Sequence, residues 1–174
     1  MKSITRKLVG NDFRSIGKSN EIVQAVLANP RLFDDLFSGF FESDPHVRMR
    51  TADAIEKITT KKPELLKKFK RLMLDKVAYT EQQEVQWHVA QMIPRFKLSK
   101  SDVPKVRKIL DIYLKSTNSN IVRVMSLQAL ADLALQDKIE KVDVIRGIEQ
   151  YADIVNTPSV RARARKLLKQ LGGI

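Results

Sequence analysis

A short phrase returns four times in this chain, as Val47-Arg48, Val85-Gln86, Val122-Arg123 and Val160-Arg161, at intervals of 38, 37 and 38 residues. Each valine is followed by a small or apolar residue four, seven, eight and eleven positions later. In the first copy these are Thr51, Ala54, Ile55 and Ile58, and in the second Val89, Met92, Ile93 and Phe96. The third has Ser126, Ala129, Leu130 and Leu133, and the fourth Ala164, Leu167, Leu168 and Leu171. At about 100° per residue the five positions make one stripe of a helix. A fixed period that carries one helix face each time marks a solenoid, in which stacked units bury a continuous core.

Other amphipathic segments lie between the copies. Pro63 heads a run with Leu65, Leu66, Phe69, Leu72 and Met73, and Pro30 heads another with Leu32, Phe33, Leu36, Phe37 and Phe40. Proline suits the first turn of a helix, where its missing N–H has no partner to lose. Ser101-Asp102 opens a third, through Val106, Leu110, Tyr113 and Leu114, and a fourth runs from about Lys141 through Val144, Ile148 and Tyr151. The repeated helices have start signals at Asp44-Pro45, Thr80-Glu81, Asn118-Ser119 and Thr157-Pro158, and Gly172-Gly173 closes the last. With a short helix at Glu21–Ala28 the count is about nine, and nothing shows the two-residue alternation of a strand. Residues 1–19 form an N-terminal segment, loose or capping, in which Ile4, Leu8, Val9, Phe13 and Ile16 could cap the first repeat. Residues 20–174 read as one repeat domain.

Asp44-Pro45-His46-Val47-Arg48, followed by Ala52, Ala54-Ile55 and Ile58, resembles the second helix of a HEAT repeat, whose pattern is an Asp, then Val-Arg, spaced alanines and a Leu or Ile pair. The likeness runs over roughly residues 30–171 in four copies. The second copy departs from it, with Gln86 for the arginine and Pro94 inside the helix, and Ser119 and Thr157 stand where the first copy has Asp44. The resemblance implies an all-α, right-handed α-α superhelix of about four helical hairpins. It also implies that the repeated arginine bonds within or between repeats, and that the second helices line a concave binding surface.

Two positions after each valine stand Met49, Trp87, Val124 and Ala162, about 200° from the core stripe. Such an apolar row on an exposed face makes a groove for a protein or peptide segment, anchored by Trp87. Arg50, His88, Gln91 and Gln128 flank it, and the sign change from Asp53 to Lys166 argues against a uniformly positive channel. The competing reading is that neighbouring repeats cover these side chains. The function expected from this pattern is a non-catalytic interaction scaffold with a protein partner.

The net charge is +12, and it is banded. Residues 1–18 carry +4, 61–76 carry +5, 97–115 carry +4, and 157–171 carry +5 with no acid at all. Lys67, Lys68, Lys70 and Arg71 form one cluster, Lys105 and Lys108 a second, and Arg161, Arg163, Arg165, Lys166 and Lys169 a third. These clusters give the alternative function, a sequence-nonspecific nucleic-acid-binding accessory protein, since affinity grows with each phosphate contacted. One tryptophan and three tyrosines offer little base stacking, and a charge run can equally be a solvated face.

Cysteine is absent, which excludes disulfides and thiol catalysis and fits a reducing cytoplasm. No stretch has the length and apolarity of a signal peptide or membrane span, so the expectation is a cytoplasmic protein without a membrane partner. His46 and His88 lack ligand-spaced partners, so no metal is expected, and no phosphate loop or nucleophile elbow suggests a cofactor or an enzyme. DNA glycosylases of the alkylation-repair kind share a HEAT-like fold and use several aromatics and an aspartate. Here Trp87 is alone and Gln91 stands one turn later, which leaves that activity a remote alternative.

Overall fold

The computed structural model describes residues 2–155 and 157–172. Their regular structure is entirely helical: α1 (Ser3–Arg6), α2 (Ser19–Ala28), α3 (Phe33–Phe37), α4 (Pro45–Lys61), α5 (Lys70–Asp75), α6 (Gln83–Met92), α7 (Asp102–Ser116), α8 (Asn120–Leu135), α9 (Lys141–Ile154) and α10 (Pro158–Leu171), with short 3-10 turns between several of them. Nine of these answer to the segments expected, and α1 is the addition. The chain divides into two compact units, Met1–Phe96 and Lys97–Ile174.

The repeated stripe is the core. Val47, Val85, Val122 and Val160 are all buried, as is every residue four, seven, eight and eleven positions after each of them. The last helix ends as expected, with Gly172 in the left-handed region at φ 74°; Gly173 lies outside the described residues. Asp44 accepts from the His46 N–H at 2.8 Å, with Pro45 in the first turn, and Ser119 accepts from the Val122 N–H. His46 is the second residue of α4.

Other boundaries differ from expectation. Pro94 ends α6 at Met92, and Ile93–Arg95 continue as a 3-10 turn, because proline cannot donate the next helical bond and its ring clashes one turn back. Thr80 accepts from the Gln82 N–H and shapes the turn, so α6 starts at Gln83. The Pro63 and Pro30 segments are broken helices: Pro63–Phe69 is 3-10 before α5, and α3 is flanked by 3-10 turns at Pro30–Leu32 and Ser38–Phe41. Their apolar faces still pack, and Phe37 stacks on Phe69 with ring centroids 4.0 Å apart.

In the first three copies the residue after the valine closes the loop that precedes its helix. Arg48 donates to the Glu42 carbonyl, Gln86 to the Thr80 carbonyl and Arg123 to the Thr117 carbonyl, each six residues back, at 2.7 to 2.9 Å. The glutamine of the second copy thus does the arginine's local work. Arg48 also reaches Gln82 across one repeat.

In the first unit α4 packs between α2 and α6. Bonds about one period long join them: Lys62 to the Leu27 carbonyl, Lys57 to Asn20, Arg48 to Gln82, and Arg95 to Glu56 and Thr59. In the second unit α8 and α10 pack together, with Arg163 donating to Gln128 and Thr157 to Asn120. Tyr151 of α9 donates to the Leu114 carbonyl of α7 at 2.7 Å.

Residues 2–19 belong to the first unit and are tied to it. Ile4 and Leu8 are buried, whereas Val9, Phe13 and Ile16 are exposed, Phe13 stacking on His46. The fastener is Arg50, whose guanidinium donates to the carbonyls of Leu8, Asp12 and Ser15. A Cβ on Gly10 would stand 2.0 Å from Arg50 Nη1 and displace the guanidinium, and Gly17 adopts φ 53° against the same group, a conformation that favours glycine.

Candidate functional site

The seven residues expected to line one groove separate into five on the first unit and two on the second. Met49 and Arg50 are buried, 5% and 4% exposed, which corrects their placement on an open face. The reason is that α4 has a neighbour on each flank, and the three carbonyls of the N-terminal segment enclose Arg50. Trp87, His88 and Gln91 remain partly exposed together on α6, with the Trp87 and His88 rings 5.5 Å apart. Beside them Asp53 of α4 accepts from Ser19 and pairs with Lys57 at 2.8 Å. Burial lowers the pKa of His88 below its ordinary 6.5; the carboxylates of Asp53 and Glu56 pull it the other way. On the second unit Val124 and Gln128 are half-buried, and Gln128 is engaged by Arg163 and Asp132.

The three basic clusters differ in how far their charge is already used. Lys68 pairs with Asp34 at 2.5 Å and lies over the Phe69 ring, and Arg71 pairs with Asp75, so two residues of the first cluster face local compensation. Lys67 stays exposed, and Lys70 is half-buried. In α7 Lys108 is exposed and Lys105 half-buried. In α10 Arg161, Arg165, Lys166 and Lys169 are all exposed, and Arg163 alone turns toward α8, donating to Gln128 at 2.8 Å. Arg165, Lys166 and Lys169 have no ion-pair or hydrogen-bond partner among the described residues, and α10 contains no acid. A shallow recess of about 330 Å³ is lined by Pro158, Arg161, Ala162 and Arg165. Ala162 belongs to the row expected to be apolar and exposed, and it is exposed.

A second depression, of about 350 Å³, lies between α7 and α9, its lining including Leu114, Leu127, Leu130 and Tyr151. Sequence reasoning missed it. The available signal was Gly147, in the middle of α9, where an added Cβ would meet nothing within 4 Å. Burial raises the pKa of Tyr151 at its edge, with Arg123 opposing that rise.

No group of three or more histidine, cysteine, aspartate or glutamate side chains is placed to hold a metal among the described residues. Among those residues, too, no helix is long and apolar enough to cross a membrane. No family model matches the chain, and neither a curated protein nor a solved structure matches it significantly.

Proposed function

We propose that this protein is a non-catalytic helical-repeat module that binds nucleic acid through its phosphate backbone, without sequence preference, using α10 as the contact surface. One observation carries the reading: α10 presents four exposed cations, three of them without a partner among the described residues, in a helix with no acid. Clustered like charges raise the local potential, and an incoming polyanion relieves it by releasing its own counterions. We further propose HEAT-type hairpins and right-handed superhelical stacking as the architecture. The hydrogen bonds one period apart and the common loop-closing role of Arg48, Gln86 and Arg123 support this. The cytoplasm is the compartment this reading assigns, since a chain without cysteine has no disulfide to lose there.

The test is a fluorescence titration with labelled single- and double-stranded DNA and RNA from low to physiological salt. Binding of all of them that weakens steeply with salt supports the reading, and a protein inert to them at low salt contradicts it.

A second reading keeps a protein segment as partner, docked on α6. The observation favouring it is that Trp87 stays partly exposed beside His88 and Gln91 even though Met49 and Arg50 are closed off. Trp87→Ala should then abolish association without lowering the unfolding midpoint. A lower midpoint would make Trp87 a packing residue.

A further inference from the structure

This inference rests on the nucleic-acid reading and specifies how α10 meets its ligand. A helix turns about 100° and rises about 1.5 Å per residue. The buried side of α10 is set by Val160, Ala164, Leu167, Leu168 and Leu171. On the opposite arc, about 140° wide by that rotation, Arg161, Arg165 and Lys169 follow one edge and Lys166 the other. Pro158 and Ala162 fall between them. From Arg161 to Lys169 the axial distance is about 12 Å. Successive phosphates along one strand are about 7 Å apart, so the three residues of that edge, about 6 Å apart along the helix, match about three successive phosphates.

The recess adds a specific feature to this strip. Its lining combines the small apolar Ala162 and Pro158 with two arginines, Arg161 and Arg165. Arginine donors suit the oxygens of a phosphate, and nothing larger than Ala162 blocks close approach. The α10 sequence, PSVRARARKLLKQL, has no aromatic on which a base could stack.

We infer that α10 lies along the phosphodiester backbone of a single strand, within a duplex or alone. Arg161, Arg165, Lys166 and Lys169 contact three or four consecutive phosphates, the recess at Ala162 seats one of them, and no base is touched. Ala162 is then a ligand-proximal position rather than a spacer in a solvated face.

The experiment measures affinity of the full chain for a labelled 20-base-pair duplex and for the matching single strand, between 50 and 200 mM salt. With four contacts the logarithmic slope is about −3.6 for duplex and about −2.8 for single strand, a loss of roughly 150-fold and 50-fold over that range. Ala162→Glu puts a carboxylate among the four cations and should reduce the duplex slope by about one contact's worth, to about −2.7. The combined Arg161→Ala, Arg165→Ala, Lys166→Ala and Lys169→Ala variant should lose binding. The pair Lys67→Ala with Lys108→Ala should keep the full slope. Unchanged helical circular dichroism and melting verify folding, and Ala162→Glu carries the test alone if the fourfold variant does not fold. Duplex binding untouched by both α10 changes would overturn this inference and the choice of α10 as contact surface, leaving only nucleic-acid binding itself standing. Absence of binding to either nucleic acid at 50 mM salt would overturn both, as would binding confined to vesicles rich in phosphatidylserine.

Discussion

Helices α4 and α10 are two copies of one pattern with opposite surroundings. Both open at a proline, both bury the valine and the four positions spaced after it, and both have an arginine next to that valine. Their outer flanks part company. In α4 the residue three after the valine, Arg50, is enclosed by three backbone carbonyls, and the residue two after it, Met49, is buried. In α10 the equivalent positions are Arg163, tied to Gln128, and the exposed Ala162 at the centre of a cationic arc. The same helix serves as an internal layer in one case and as an open surface in the other. Its inner stripe dictates where it packs, and what approaches its outer flank decides what it does.

The largest effects are expected where α4 is fastened. Arg50→Ala removes a guanidinium from three carbonyls and should lower stability by about 3 kcal/mol, read from urea unfolding. Gly10→Ala, with its Cβ 2.0 Å from Arg50 Nη1, should cost about 2 kcal/mol. Arg165→Ala on the open flank of α10 should change stability by no more than about 0.5 kcal/mol. Equal losses at Arg50 and Arg165 would erase the contrast between the two helices.

A shared inner stripe predicts a shared core penalty. Val47→Ala and Val160→Ala should each cost about 2 kcal/mol, the two values agreeing more closely than those of any outer pair. Acidification supplies a third test. Because burial depresses the pKa of His88, the unfolded chain takes up a proton below pH 6.5 that the folded chain resists. Stability therefore falls as pH drops from 6.5 toward the lower folded value, and His88→Gln should flatten that part of the curve. One small effect has the opposite sign: Gly147→Ala, in open space within α9, should stabilise by about 0.5 to 1 kcal/mol.

The sequence made the inner stripe legible because its period and its burial have one cause, the packing of each helix against its neighbours. Proline and capping signals were legible for a related reason, being written within a few residues of the bonds they make, as at Asp44 and Gly172. Pro94 was visible too, but the continued apolar spacing through Phe96 hid the fact that the α-helix stops before it. The outer flanks were not legible. Arg50 is held by carbonyls 35 to 42 residues earlier, in a segment whose Gly10 and Gly17 make room for the guanidinium. Likewise, nothing local to Lys68 announces its pairing with Asp34, 34 residues away. Of the candidate basic residues, those of α10 stand out only when the partners of the others are known.

The measurement closest to the central claim is arginine-selective chemical labelling with mass-spectrometric readout, on the intact protein alone and with excess duplex DNA at low salt. The account predicts that Arg161 and Arg165 react in the free protein and are protected by DNA, while Arg50 is unreactive in both states. Labelling of Arg50 in the free protein, or no protection of Arg161 and Arg165 once DNA is bound, would contradict it.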